Sequence, residues 1–550
     1  MDLLERLEKK EKKKTGARHT ELIPRGRRAA FITVAAVFAL VFAAGMIYIL
    51  RSRTIFFWDD ATYWDMSREI AGGELSGRLW SAVYESIGTS DYNYVAALPS
   101  ALWIMLFGSS RAAYIAGLLT MYILPFFVMV YSLAKKLSKA PLFAFCAAVF
   151  SIPAAAYMAF IGFVDVGGLL IMAACYNLYY TRDGTAGKWY RYAAIGVLLV
   201  LVMVFRKYFA FFSVSFLTAM AVDCIVFRRK WRYLFITAGV SALLLVTVLF
   251  PFLTGILLKD YGTLYSGYKY PVLTDIKLIT RYFGSVFIVL LITVPFVSAI
   301  RRHEPRPVFV WIQILVCAAM FISTQTHGQQ HLLLYMPALA VLVMFLVNNI
   351  SKQWMLIAVC LLAAVNTLNV FVPRQQPNSI QEIDHIALFP DYSMQPQRRD
   401  DTEAILALKR DLDKAIPEGS RCSVLASSFL LNDSILRNVE PSLNVGISRD
   451  PDYITALPDV DSRDSWRLGE IYTADYILAA IPAQTHLAAG EQTIVDEAVS
   501  SFANGTDIAE SFEEVQGFAR ELDGFEVRLY VRTGEVTLYQ QSLYEARLFY

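Results

Sequence analysis

The strongest constraint on the fold is a series of apolar runs, each about 20 residues long, that recurs from residue 29 to residue 372. A helix rising about 1.5 Å per residue crosses a hydrocarbon core of about 30 Å in roughly 20 residues. The runs lie near 29–50, 111–133, 140–160, 163–180, 192–206, 208–227, 233–257, 281–300, 308–323, 331–350 and 353–372. With 56% hydrophobic and only 18% charged residues, the chain is too apolar for a soluble protein of this length, and the excess belongs in lipid. The expectation is an all-α polytopic membrane protein of about 11 transmembrane helices, with a membrane domain over 29–373.

Charge divides the chain further. Residues 1–373 carry 35 Lys and Arg against 18 Asp and Glu, whereas residues 374–550 carry 15 against 30. The apolar part is therefore basic and the tail acidic, as for a separate soluble domain facing away from an anionic cytoplasmic leaflet. Residues 1–28 hold ten Lys and Arg and read as a cytoplasmic leader rather than a signal peptide. With that leader inside, the connectors "AKKLSKA", "TRDGTAGKWYR", "RRKWR", "RRHEPR" and "SKQ" are cytoplasmic, and each carries Lys or Arg. Eleven spans then place the first long loop, 51–110, and the tail, 374–550, outside. Within that loop "YVAALPSALWIMLFG" is short and interrupted by Pro99, so it reads as a juxtamembrane or re-entrant helix. The tail reads as a small α/β domain, with an amphipathic helix in "DDTEAILALKRDLDKAI" and strands in "RCSVLAS", "DYILAAI" and "EVRLYVRT". Five of six cysteines fall in apolar runs, so they imply neither disulfides nor a CxxC metal site.

This topology collects an unusual set of residues on the outer face. Directly after the first span, "FFWDDATYWDMSREIAGGEL" sets Asp59 beside Asp60, followed by Asp65 and Glu69. Helix capping accounts for one aspartate of the pair, but the second has no such role. Asp165 occupies the short turn of "IGFVDVGGLL" and Arg206-Lys207 that of "MVFRKYFAFF", each being either interfacial or aimed at a cavity. Asp91, Lys259, Lys269, His327 and His331 join them, and Tyr261, Tyr265, Tyr268 and Tyr270 share one outer loop. Carboxylates can take a proton from an acceptor hydroxyl, and Lys or Arg can hold a phosphate leaving group. The two histidines lack convergent acids, so no metal site is read from them.

The segments "FWDDATYWDMSREIAGGELS" and "NYVAALPSALWIMLFGSSRAAYIAGLL" resemble the first loop and second span of the lipid-dependent GT-C glycosyltransferases, especially the protein O-mannosyltransferase and aminoarabinose-transferase branch. "FVDVGGLLIMAACYNLY" and "QQHLLLYMPALAVL" are similar to later segments of that family. The departures are Asp60 where Glu is common, and a single Pro99 in place of a double proline. The resemblance implies an inverting transferase that moves a sugar from a polyprenyl-phosphate donor to an extracytoplasmic glycan, lipid or protein. It makes Asp59 the general base and Asp60 its partner in orienting the acceptor. Asp165 becomes a second acidic site, and Arg206 or Lys207 the ligand of the donor phosphate. Membrane lipid and the lipid-linked sugar are the implied partners, with no nucleic acid, cofactor or metal. A transporter of lipid-linked saccharides and a non-catalytic envelope scaffold are the competing readings, although no internal repeats support the first.

Overall fold

A computed structural model describes residues 25–89, 91–181, 188–227, 230–302, 306–350, 353–375, 377, 380–464 and 468–549. Most of the basic leader and parts of four of the five basic connectors lie outside these residues. Each of the eleven apolar runs is helical, but the runs differ in kind. Four make helices long and apolar enough to cross a membrane, namely Arg28–Arg51, Arg111–Leu137, Lys207–Val226 and Arg306–Thr324. The first belongs to helix α1 (Arg25–Arg51), which leaves Phe31 76% and Leu50 72% exposed. Large apolar side chains presented outward in this way need lipid around them, as in a multi-pass membrane protein.

The runs 140–160 and 233–257, expected as single spans, are instead bent pairs, and the run 281–300 supplies the second arm of a third. Residues 140–160 divide into Pro141–Ser151 and Ala154–Phe160 at 55°, and 233–257 into Trp231–Thr247 and Phe250–Leu257 at 99°. Pro153 and Pro251 stand at these breaks, where a missing N–H and a ring clash prevent the helix from continuing. The third pair, Val272–Phe283 and Ser285–Thr293, turns through 91°. Here Gly284 adopts φ +78°, and a Cβ at that position would lie 2.8 Å from the Phe389 backbone. The remaining four runs form shorter apolar helices: Val166–Tyr179, Trp189–Phe205, Met336–Asn349 and Gln353–Asn369. By length and composition, the described residues thus contain up to seven spans, counting each bent pair as one. The Pro99 segment is a separate helix, Tyr94–Phe107, with Leu106 and Phe107 exposed.

The tail folds around a six-stranded mixed sheet in the order β2-β1-β3-β6-β4, with β5 against β6. The strands are β1 (Cys422–Leu425), β2 (Ile454–Ala456), β3 (Tyr476–Ile481), β4 (Phe512–Glu514), β5 (Arg520–Leu522) and β6 (Phe525–Arg532). Strand β1 pairs in parallel with β2 and β3, and β6 closes antiparallel on β3. The three strands and the amphipathic helix, Thr402–Ala415, expected from sequence are all present. All four residues of β1 are buried, as a central strand covered on both faces requires.

The membrane part and the tail are joined through the segment that leads into the acid pair. Arg53 donates its N–H to Gln397 O and accepts from the Arg399 N–H at its own carbonyl, 2.9 and 3.0 Å apart. Ile55 is buried in the core of the tail domain among Ile405, Leu431 and Ile435. Phe56 N–H donates to Ser442 Oγ at 3.1 Å, and Trp58 N–H to Ser434 Oγ at 3.0 Å. The tail domain therefore holds the backbone immediately before Asp59.

Candidate active site

The acid pair opens helix α2 (Trp58–Gly72), and the capping expectation fails there. The N-cap is Phe57, which has no side-chain cap, and both aspartates lie in the first turn. A negative charge in that turn faces the exposed N–H groups and the positive end of the helix dipole. Trp58 adopts φ +50°, a left-handed conformation that costs a bulky side chain free energy. Its ring lies between the tail residues His486 and Phe429, at centroid distances of 4.6 and 5.3 Å. Together with the Ser434 hydrogen bond, these contacts fix the direction in which the acid pair leaves the chain.

Asp59, Asp165 and Arg206, spread over 147 residues of sequence, meet at one guanidinium. Arg206 follows the last turn of Trp189–Phe205 in extended conformation, φ −151°, which turns its side chain away from the helix. Its Nη2 donates to Asp59 Oδ2 at 3.0 Å, its Nε lies 2.9 Å from Asp165 Oδ1, and its Nη1 donates to the Tyr63 hydroxyl at 2.9 Å. The rings of Tyr63, Tyr92 and Tyr208 surround the cation at 5.1, 5.1 and 5.8 Å. The Tyr92 hydroxyl also donates to Asp59. Asp165 is 0% exposed. Burial pushes its pKa up against the pull of Arg206, with Asp59 adding to the rise. Burial works against the charge on Arg206, but Asp165, Tyr63 and Asp59 together outweigh it and hold the guanidinium firmly charged.

Asp60 sits differently. Part of its surface opens into a cavity, yet surrounding protein desolvates the carboxyl and, with Asp59 next to it, holds its proton well above the usual carboxylate range. The turn that carries Asp165 packs directly on it. Gly162 in that turn has φ +101°, and a Cβ there would approach Asp60 Cβ to 3.1 Å. Adjacent acids are thus split into one tied to a cation and one that, among the described residues, has no side-chain partner of opposite charge in hydrogen-bond range.

Both acids, Arg206, Lys207 and Tyr208 line a cavity of about 1870 Å³ between the membrane helices and the tail domain. Lys207 lines the same cavity and pairs with Asp91 at 2.8 Å, while Lys259 reaches the same oxygen at 3.3 Å. Glu69 accepts from the Tyr94 hydroxyl at 2.7 Å on the cavity wall. His331 faces the cavity and its Nδ1 accepts the Gly328 N–H at 2.8 Å. Two other candidates lie apart from it. Lys269 donates to Ser323 O at 2.9 Å on the exterior. His327 is fully buried between Asp275 Oδ1, at 2.5 Å from Nδ1, and the Tyr335 hydroxyl, at 2.6 Å from Nε2. Among the described residues, no three His, Cys, Asp or Glu side chains gather closely enough to hold a metal ion.

Sequence reasoning missed the aromatic cage of Tyr63, Tyr92 and Tyr208, and the contribution of the tail. Asp459, Arg463, Asp464 and His486 of the tail line the same cavity. Arg463 pairs with both Asp459 and Asp464. Burial raises the Asp459 pKa to about 6 and lowers that of His486 to about 4. Tyr63 closely follows the acid pair in the sequence, so its phenol was a local signal; no such signal marks Tyr92, Tyr208 or the tail residues.

No family profile and no curated protein matches the chain by sequence. Its structure is similar to that of ArnT from Cupriavidus metallidurans in the apo state, with a TM-score of 0.55 at 13% identity, covering 92% of this chain and 99% of that one. Against ArnT of the same organism bound to undecaprenyl phosphate, the TM-score is 0.50 at 11% identity, over 91% of this chain and 98% of that one. At these identities the likeness establishes the fold alone, and this chain has the fold of ArnT.

Proposed function

We propose that this protein is an inverting, polyprenyl-phosphate-dependent glycosyltransferase whose acid pair works on the extracytoplasmic side of a membrane. The observation that carries the reading is the single buried guanidinium of Arg206, shared by Asp59 and Asp165 at a large cavity. The Lys and Arg of the connectors support the orientation through the positive-inside bias, and the lipid phosphate bound by ArnT supports the donor class.

In this reading the donor phosphate docks on Arg206 with Lys207 beside it, and draws Arg206 from Asp59. The carboxylate so released accepts the proton of an acceptor hydroxyl. The acceptor oxygen bonds to the anomeric carbon from the face opposite the phosphate. The bond between that carbon and the phosphate oxygen breaks, and its electron pair leaves on the polyprenyl phosphate, where the cations hold it. One displacement inverts the anomeric configuration. Asp60, kept protonated, donates a hydrogen bond that orients a sugar hydroxyl, and Asp165 keeps Arg206 in place. A positioned base contributes about 10²- to 10⁴-fold to such a step, and the cationic clamp adds stabilisation of the leaving group.

Native mass spectrometry of the full chain with undecaprenyl phosphate tests the donor site. Wild type is expected to retain one lipid phosphate, and Arg206→Gln to lose it. Equal retention by the two proteins would refute the assignment of Arg206.

A further inference from the structure

The cavity continues past the acid pair along a ribbon of aromatic rings contributed by both parts of the chain. Tyr261 stacks on Tyr265 with centroids 6.1 Å apart and planes 11° from parallel. Tyr268 follows at 6.2 Å, and His486 of the tail at 6.4 Å from Tyr268. Trp58 and then Phe429 complete the ribbon, at steps of 4.6 and 5.3 Å. All six rings line the cavity, none of them is fully buried, and Trp58 is the residue immediately before Asp59. Two fixed contacts hold the two halves of the ribbon together. Arg463 Nη1 donates to the Tyr268 hydroxyl at 3.3 Å, and Ser462 Oγ donates to Leu264 O at 3.2 Å.

The charge beside the ribbon is selective. Asp433, Asp450, Asp452, Asp459 and Asp464 line this end of the cavity. Of the facing cations, Arg463 is taken by Asp459 and Asp464, and Arg437 by Asp452 at 3.2 Å. Carboxylates therefore remain in excess, and anionic groups are repelled. They also offer acceptor oxygens to hydroxyl groups, while the rings offer flat apolar faces to the C–H faces of pyranoses.

Resting on the transferase reading, we infer that the ribbon from Tyr261 through Trp58 to Phe429 is the acceptor site, and that the acceptor is an oligosaccharide without acidic groups. Several successive sugar units lie along the rings, and the terminal hydroxyl reaches the acid pair beside Trp58. A ribbon of six rings exceeds what one sugar ring covers, and the carboxylate excess disfavours phosphorylated or uronate-bearing acceptors. The tail domain supplies two of the six rings, His486 and Phe429, so a membrane part alone would lack a complete acceptor site.

The test uses the full chain in lipid nanodiscs and saturation-transfer NMR. The probes are neutral hexose and N-acetylhexosamine tetrasaccharides, a uronate tetrasaccharide and an unstructured Ser/Thr peptide. Undecaprenyl phosphate binding is measured in parallel. At least one neutral tetrasaccharide is expected to bind saturably. Tyr265→Ala and Tyr268→Ala should each weaken it by about threefold to tenfold, the range of one aromatic contact. Tyr265→Phe should retain affinity, and no Tyr variant should alter lipid phosphate binding. The inference is overturned if no neutral tetrasaccharide binds, if the uronate or the peptide binds in their place, or if the Ala variants bind like wild type. Failure of saccharide binding with lipid phosphate still bound removes this inference alone. Loss of lipid phosphate binding in wild type removes the transferase reading beneath it.

Discussion

Replacing Arg206 with Met should be among the most damaging single changes in the chain, because it deprives two carboxylates of one cation. Asp165 is 0% exposed and has Arg206 Nε at 2.9 Å, while Asp59 has Nη2 at 3.0 Å. Removing one partner of a buried pair costs about 3–5 kcal/mol, since the remaining charge stays desolvated without compensation. The orphaned Asp165 escapes part of this cost by taking up a proton. Burial and Asp59 already raise its pKa, and Arg206 is the largest of the groups that oppose them, ahead of the Tyr208 hydroxyl. A folded-state pKa raised above the unfolded value favours the fold at low pH and is lost as pH rises. The Met variant should therefore be closer to wild type at pH 5 than at pH 8. Adding Asp165→Asn removes the stranded charge, so the double variant should recover about 2–3 kcal/mol relative to Arg206→Met. Unfolding of the full chain in detergent, followed by tryptophan fluorescence at both pH values, reads all four corners of the cycle. A loss below about 1 kcal/mol at pH 8, or a double variant no more stable than Arg206→Met, would refute the shared-cation argument.

Three further outcomes follow from the same geometry. Asp60→Asn preserves a neutral hydrogen-bond donor and should keep far more transfer activity than Asp59→Asn; equal losses in the two variants would show that Asp60 must ionise. Gly168→Ala would place a methyl 2.2 Å from Phe209 Cζ in the helix behind Arg206, and such overpacking should cost about 1–3 kcal/mol in detergent unfolding. His486 has its pKa lowered from 6.5 to about 4 by burial, so its contribution to stability is present above pH 6.5 and is lost as pH falls towards 4. Asp459, raised to about 6, acts in the opposite direction. His486→Gln should therefore lose less stability than wild type between pH 7 and 4, by no more than about 3 kcal/mol, and an equal loss would contradict the burial argument.

The sequence disclosed the parts of this protein that obey local rules. Apolar length marked all eleven helical runs, and strand-like runs between turn residues marked Tyr476–Ile481 and Phe525–Arg532. It also raised Asp59, Asp60, Asp165 and Arg206 as candidates, because charge at a lipid boundary is costly unless it is used. Span count was less legible. Gly284 and Pro251 each turn a run that hydropathy alone reads as continuous. The capping role assigned to one aspartate failed because Phe57 occupies the N-cap and the tail domain, through Ser434, takes up the Trp58 N–H. That contact spans 376 residues, and no local pattern carries it. For the same reason His327 looked like an outer-face polar group, whereas Asp275 and Tyr335 hold it in the interior.

The most direct measurement is sugar transfer by the purified full chain in proteoliposomes that contain a polyprenyl-phosphate-linked sugar and a neutral oligosaccharide. Product anomeric configuration is read by NMR, and Asp59→Asn is run beside wild type at matched protein levels. The account predicts a product of inverted configuration and a rate about 10²- to 10⁴-fold lower for Asp59→Asn. Retained configuration, undiminished transfer by Asp59→Asn, or movement of the lipid-linked sugar across the bilayer without transfer would contradict it.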